Sequence, residues 1–204
     1  MKNLIPKSSD MHSVDVLLAK ARRTRNYRPL ISMLMQAEYR KIADCENLLG
    51  YCYNLGLGVP RDYTRARRLY LVAAKKGQPD AMYNIAVLYE KGLGGRGDSK
   101  KAFNFYRRAA QAGLTDAQCN LGILYIDGVG VRRDIKTGMW WLNKAATSGD
   151  VKAQFNLGLA LLEGIHGKPN PRAAKQWLRE AANHGHGRAK STLRRLLVAD
   201  RGRT

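Results

Sequence analysis

Four glycines, Gly56, Gly92, Gly128 and Gly164, stand 36 residues apart. Gly77, Gly113, Gly149 and Gly185 keep the same interval, as do the Ala-Ala pairs that begin at Ala73, Ala109, Ala145 and Ala181. A third register holds Gly50, Gly122 and Gly158, with Ala86 in the second unit's slot. A fixed period of this length is the mark of stacked supersecondary units, each of which buries its apolar face against its neighbours. It argues against a pocket enclosed by one core, and moves the expectation from an enzyme towards an interaction surface.

One unit shows what is repeated. In Ala81–Asp116, the residues Ala81, Ile85, Leu88 and Tyr89 fall on one face of a helix. Gly92 and Gly94 end that helix, since glycine adopts the left-handed cap conformation without a Cβ penalty. Asp98 then stands at a helix start, as do Asp62, Asp134 and Asn170 in the other units. Ala102, Phe105, Tyr106 and Ala109 mark a second amphipathic helix, closed by Gly113. Small residues let the two helices approach and large ones fill the remaining space. Leu69, Trp141 and Trp177 take the place of Phe105 elsewhere, and Tyr70, Leu142 and Leu178 that of Tyr106, so volume is kept while identity varies.

The recurring pattern A-x3-LG-x2-Y-x2-G-x-GV-x2-D-x3-A…AA-x2-G resembles the Sel1-like repeat family, relatives of the tetratricopeptide repeats. The units that start at Ala117 and Cys45 follow it most closely, and the resemblance runs from Cys45 to Gly185. Departures are local: Cys45 replaces the opening alanine, Ile85-Ala86 replaces Leu-Gly, Gly138 replaces a helix alanine, Leu161 replaces tyrosine, and His166-Gly167 alters the fourth loop. The added methyl of Ala86 is expected to hold its helix pair slightly apart. The resemblance implies an all-α fold, a right-handed superhelical solenoid of helix-turn-helix repeats with a period of 36 residues, in which the first helix of each pair lines the concave surface.

The ends read as caps. Val14, Leu17, Leu18 and Ala21 predict a helix, Arg28-Pro29 a break, and Leu30, Met33, Leu34 and Ala37 a second helix that lies 36 residues before Ala66, Leu69, Tyr70 and Ala73. Residues 1–12 are therefore expected to be flexible, 13–44 to form a degenerate N-terminal capping repeat, 45–187 to form four repeats, and 188–204 to form a capping helix with a basic tail. Ala189, Leu193, Leu196 and Leu197 supply the apolar stripe of that last helix. No run of about 18 apolar residues is present, so no membrane-spanning helix is expected. The start lacks the apolar core of a secretory signal, and three cysteines without one suggest free thiols in a reducing cytoplasm; the Sel1-like resemblance implies a bacterial protein.

Charge is the second large feature. The chain has 36 Lys and Arg against 16 Asp and Glu, a formal net charge of +20. The first-helix segments hold two basic residues against seven acidic ones, whereas the loops and second helices hold 19 against four. With the family's geometry, the concave face is mildly acidic, and the convex face and ends are basic. Such a face is either a solvated surface or a docking surface for a polyanion. The doublets Arg67-Arg68, Lys75-Lys76, Lys100-Lys101, Arg107-Arg108 and Arg132-Arg133 are the candidate polyanion contacts. They are dispersed, and no nucleic-acid-binding motif accompanies them.

The resemblance places Asn47, Tyr51 and Asn54, then Tyr83, Val87 and Glu90, then Cys119, Ile123 and Ile126, then Phe155, Leu159 and Leu162 along the concave groove. An apolar stripe with Tyr and Asn beside it suits a peptide of a partner protein. Asn84, Asn120 and Asn156 share one register and are read as braces between adjoining turns or loops. The catalytic candidates dissolve on inspection. His184-Gly185-His186 has no carboxylate or cysteine cluster beside it. Lys136-Thr137-Gly138 spells a motif of penicillin-recognising enzymes, but the Ser-x-x-Lys that would carry their nucleophile is absent. The reading is a non-enzymatic protein-protein interaction scaffold that binds a partner protein in its groove, with nucleic acid or an acidic partner on the basic convex face as the alternative. No cofactor, metal or small-molecule substrate is expected.

Overall fold

The computed structural model describes residues 8–36, 39 and 42–201. Among them the chain forms eleven α-helices and no strand. They are α1 (Ser8–Thr24), α2 (Arg28–Leu34), α3 (Ala43–Leu55), α4 (Tyr63–Lys75), α5 (Pro79–Lys91), α6 (Ser99–Gln111), α7 (Thr115–Asp127), α8 (Ile135–Thr147), α9 (Val151–Glu163), α10 (Pro171–Asn183) and α11 (Gly187–Arg201). The chain divides into two compact units, Met1–Phe105 and Tyr106–Thr204, with the boundary inside α6.

The local chemistry of each hairpin explains why it recurs. Gly56, Gly92, Gly128 and Gly164 close α3, α5, α7 and α9 with φ of 75°, 66°, 73° and 66°, the left-handed region that favours glycine. The second helices open on Asp62, Asp98, Asp134 and Asn170. Each side chain accepts the backbone N–H three residues on, from Arg65, Lys101, Thr137 and Ala173, at 2.9 to 3.0 Å. The backbone N–H groups of the same four residues donate back to the first helix, at Tyr53, Tyr89, Tyr125 and Leu161, within 3.0 Å. One residue thus starts the second helix and pins the loop to the first.

In the first unit, α3 packs on α4, and α4 on α5. Leu49, Cys52, Ala66, Leu69, Tyr70 and Ala73 lie in its core. Gly50 lets the Tyr70 ring pack closely against α3, because a Cβ there would sit 2.9 Å from the ring. In the second unit α7 packs on α8, α8 on α9, α9 on α10 and α10 on α11. Here Gly122 and Gly138 face one another. A Cβ on Gly138 would come within 2.6 Å of the Gly122 carbonyl oxygen, and one on Gly122 within 2.9 Å of the Gly138 oxygen. The substitution of glycine for the expected alanine at Gly138 is therefore what permits backbone contact between α7 and α8.

The N-terminal pair differs in detail from expectation. Helix α1 already begins at Ser8, inside the segment expected to be flexible, and residues 1–7 lie outside the described residues. The break falls at Arg25–Tyr27, not at Arg28-Pro29. Arg25 has φ 57°, the Arg28 N–H donates to Asn26 Oδ1 at 3.2 Å, and Pro29 belongs to the first turn of α2. Proline is accepted there because the N–H it lacks has no helical partner. Val14, Ala21, Leu30 and Leu34 are buried as expected; Ala37 lies outside the described residues. At the other end, Ala189 is buried, whereas Leu197 of the expected apolar stripe is 42% exposed.

Candidate protein-binding surfaces

The expected groove row divides sharply between the two units. In the first unit Tyr51 is 42% exposed and its neighbour Leu55 is 43% exposed. Asn54, Tyr83 and Val87 are half-buried and Glu90 is exposed. Asn47 is fixed, because the Asn84 amide Nδ2 donates to its Oδ1 at 3.0 Å. This bond joins α3 to α5, so the asparagine brace runs between successive first helices, and not between loops. In the second unit Asn156 Nδ2 makes the corresponding contact with Cys119 Sγ at 3.7 Å.

Three residues expected on the groove of the second unit are withdrawn from it. Cys119 is 2%, Phe155 5% and Ile126 9% exposed. Phe155 stacks on the His186 ring, with centroids 4.4 Å apart, and packs with Leu178, Ala181 and Ala189. Arg188 lies over the Phe155 ring at 5.2 Å. The start of the capping helix α11 is what covers Phe155. Ile123, Leu159 and Leu162 remain half-buried. The first unit therefore holds the exposed part of the row.

That unit also has a cleft of about 450 Å³ lined by Met35, Glu46, Leu49, Tyr53, Arg65, Arg68, Leu69 and Val72. It opens beside α2, which is seven residues long where α4 has 13. The Glu46 carboxylate at its wall is buried and held by Lys76 Nζ at 2.5 Å. In the same register Gln118 and Gln154 donate from Nε2 to the carbonyls of Ala110 and Ala146. Charge there is a replacement for a neutral amide bracket.

Several candidate polyanion contacts are engaged within the protein. The Arg67 guanidinium lies 4.1 Å from the Tyr89 ring centroid and donates to the Arg96 carbonyl at 3.3 and 3.4 Å. Lys76 holds Glu46, Lys101 pairs with Asp98 at 3.1 Å, and Arg133 Nε donates to the Ile126 carbonyl at 2.8 Å. Arg68, Lys75, Lys100, Arg107, Arg108 and Arg132 are exposed. The doublets thus do not form one uniform set: Arg67, Lys76, Lys101 and Arg133 each have a structural partner.

The catalytic look-alikes have structural roles. Thr137 of the Lys-Thr-Gly run donates both its backbone N–H and its hydroxyl to Asp134, at 3.0 and 2.7 Å, while Gly138 is buried at the α7–α8 crossing. His186 Nδ1 accepts the Ala189 N–H at 3.1 Å and so caps α11, and His184 Nδ1 lies 3.4 Å from Gln154 Oε1. Among the described residues no group of three or more His, Cys, Asp or Glu is placed to hold a metal ion, and no helix is long and apolar enough to cross a membrane. Cys45, Cys52 and Cys119 are free and buried. Burial pushes the first two thiols up to about 11 and Cys119 to about 12, so they are held as unreactive thiols.

Comparison with known proteins agrees with this architecture. The Sel1 repeat model matches residues 43–78, 79–114, 115–150 and 151–186. The chain is similar to a Sel1 repeat protein from Oxalobacter formigenes, with 29% identity, a TM-score of 0.82, and coverage of 92% of this chain and 73% of that one. It is also similar to c5321, a protective antigen of uropathogenic Escherichia coli with an SLR fold, with 28% identity, a TM-score of 0.75, and coverage of 84% of this chain and 37% of that one. The immunity protein Pa5087 from Pseudomonas aeruginosa shares the fold at 20% identity and a TM-score of 0.59, with 93% and 70% of the two chains covered. No curated protein matches.

Proposed function

Because the chain belongs to the Sel1 repeat family, we propose that it is a non-enzymatic scaffold that holds a partner protein on the first-helix row of its first unit. Sel1 repeat proteins are in general protein–protein interaction scaffolds. The observation that carries the finer reading is Tyr51, an aromatic side chain left 42% exposed on α3 with Leu55 one turn on, in the row that Asn54, Tyr83 and Val87 continue by register. Aromatic anchors with amides around them are characteristic of the centre of a protein interface. The Asn84–Asn47 bond fixes α3 against α5, so the row is ordered before a partner arrives, which lowers the entropy lost on binding. The buried, unreactive thiols accord with a reducing compartment such as the cytoplasm.

The alternative, polyanion binding through the second helices, is supported by the net charge alone, and the internal contacts of Arg67, Lys76, Lys101 and Arg133 weaken it. Affinity capture from lysate, with nuclease and at two salt concentrations, separates the two. The groove reading expects a discrete protein that survives nuclease and salt, is lost with Tyr51→Ala combined with Tyr83→Ala, and is kept with Arg68→Glu combined with Lys75→Glu. Loss with the charge reversals and retention with the tyrosine pair would overturn it.

A further inference from the structure

One side chain on the second helices breaks the pattern of its register. The register 68, 104, 140, 176, with steps of 36 residues, holds the polar Arg68, Asn104 and Gln176 on α4, α6 and α10; its α8 member is Trp140. It is 56% exposed, and it is the only aromatic residue among the large exposed apolar side chains described in the second unit. Exposing this much indole to water is unfavourable, and Trp140 fills no gap in the core. On α8 the core packing is done by Leu142, Ala145 and Ala146, while Trp141, in the register of Leu69, Phe105 and Trp177, is half-buried.

The surroundings of Trp140 hold it in place. Trp141 meets it edge-on, with centroids 4.6 Å apart and planes at 81°. Lys144 Nζ lies 5.2 Å from the centroids of both rings. Lys136, one turn before, and Lys144, one turn after, are both exposed. Helix α8 carries no acidic residue; Asp134, at its N-cap, is turned back onto Thr137. The result is an exposed, braced aromatic ring between two cations about 12 Å apart along the helix.

We propose that this Lys136–Trp140–Lys144 row docks an acidic segment of a partner protein, with an apolar side chain of the segment on the indole and carboxylates at the two lysines. An aromatic anchor with flanking charges of one sign is the composition of an interface hot spot with electrostatic steering. Single-stranded nucleic acid fits less well, because it needs successive open stacking platforms, and α8 offers one exposed ring. An anionic lipid surface fits less well too, because membrane binding needs a broad apolar face, and α8 offers one exposed indole. The row lies on a different helix set from the surface proposed above and stands independently of it.

The test is a titration of a fluorescently labelled glutamate-rich peptide with one central leucine, read by anisotropy. Trp140→Ala, which leaves the charge unchanged, and Lys136→Glu combined with Lys144→Glu are each expected to weaken binding by about tenfold or more. Lys75→Glu combined with Lys100→Glu makes the same change in charge on the first unit and is expected to weaken it by less than about threefold. Tyr51→Ala with Tyr83→Ala is expected to leave it unchanged, so this proposal and the first fail separately. Far-UV circular dichroism checks that each variant is folded. If Trp140→Ala binds like the wild type, or the Lys75/Lys100 pair costs as much as the Lys136/Lys144 pair, the proposal is overturned. It is equally overturned if oligo-dT or phosphatidylserine vesicles bind more tightly than the peptide in a Trp140-dependent way.

Discussion

Gly138→Ala separates a packing requirement from a helix propensity, because the two have opposite signs. In an exposed helix interior, alanine is favoured over glycine by about 1 kcal/mol. At Gly138 the new Cβ would lie 2.6 Å from the Gly122 carbonyl oxygen and from Ile126 Cγ1, and 3.0 Å from the Ile126 nitrogen. Two of those three atoms are backbone and cannot rotate away, so α7 and α8 must separate. Overpacking of this kind costs about 1–3 kcal/mol and at times more, which after the propensity gain leaves a net loss of up to about 2 kcal/mol, or more where the backbone resists. Urea unfolding followed at 222 nm, with Gly149→Ala as a control at a glycine whose Cβ would meet nothing within 4 Å but whose φ is 89°, measures it. If Gly138→Ala raises the midpoint, as at an exposed helix site, the direct α7–α8 contact is refuted.

Other outcomes follow from the same contacts. Phe155→Ala removes a buried ring from the α9–α10–α11 cluster and is expected to cost about 3–5 kcal/mol in chemical unfolding, with partner capture unchanged once folded protein is normalised. Lys76→Ala leaves the Glu46 carboxylate buried without its cation; a loss on the order of 2 kcal/mol is expected, and adding Glu46→Gln, which restores the amide used by Gln118 and Gln154, should recover most of it in a double-mutant cycle. Asp98 and Asp134 are held below the usual carboxylate range, chiefly by the backbone N–H groups of Lys101 and Thr137. Their contribution is therefore full above the unfolded pKa, near pH 4, and is lost as pH falls through the lower folded values. Asp134→Asn keeps the cap but removes its titration, so a plot of stability against pH should lose part of its acid slope. An unchanged slope would show that the cap does not titrate as described.

What the sequence made legible is the chemistry that acts over a few residues. Asp62, Asp98, Asp134 and Asn170 could be read as caps because a short oxygen acceptor before an amphipathic run has one local use, and the four glycine C-caps could be read for the same reason. The period placed the helices, but it could not say what stands beside each one. Phe155 has the register of Asn47 and Tyr83, and it is buried because the start of the capping helix α11 lies over it, a contact that the prediction of that helix did not itself reveal. Cys119 and Ile126 are covered by their own unit in the same way. The cap that His186 gives to α11, and the bond from Asn84 to Asn47 across helices, depend on contacts between residues that no local pattern links. In the candidate surface, the roles of Arg67 and Arg133 as internal braces were hidden because a charged doublet reads alike whether it faces solvent or a neighbouring ring or carbonyl. The exposure of Trp140 depends on what packs around α8 and could not be read from the period.

The measurement that bears most directly on the scaffold reading is photo-crosslinking from single positions, with a benzophenone amino acid placed at Tyr51, Val87, Arg68 or Lys100 and the products identified by mass spectrometry. The account predicts a discrete protein adduct from Tyr51 and Val87, kept at raised salt and after nuclease treatment, with none from Arg68 or Lys100. Adducts from Arg68 and Lys100 alone, or recovery of nucleic acid in place of protein, would contradict it.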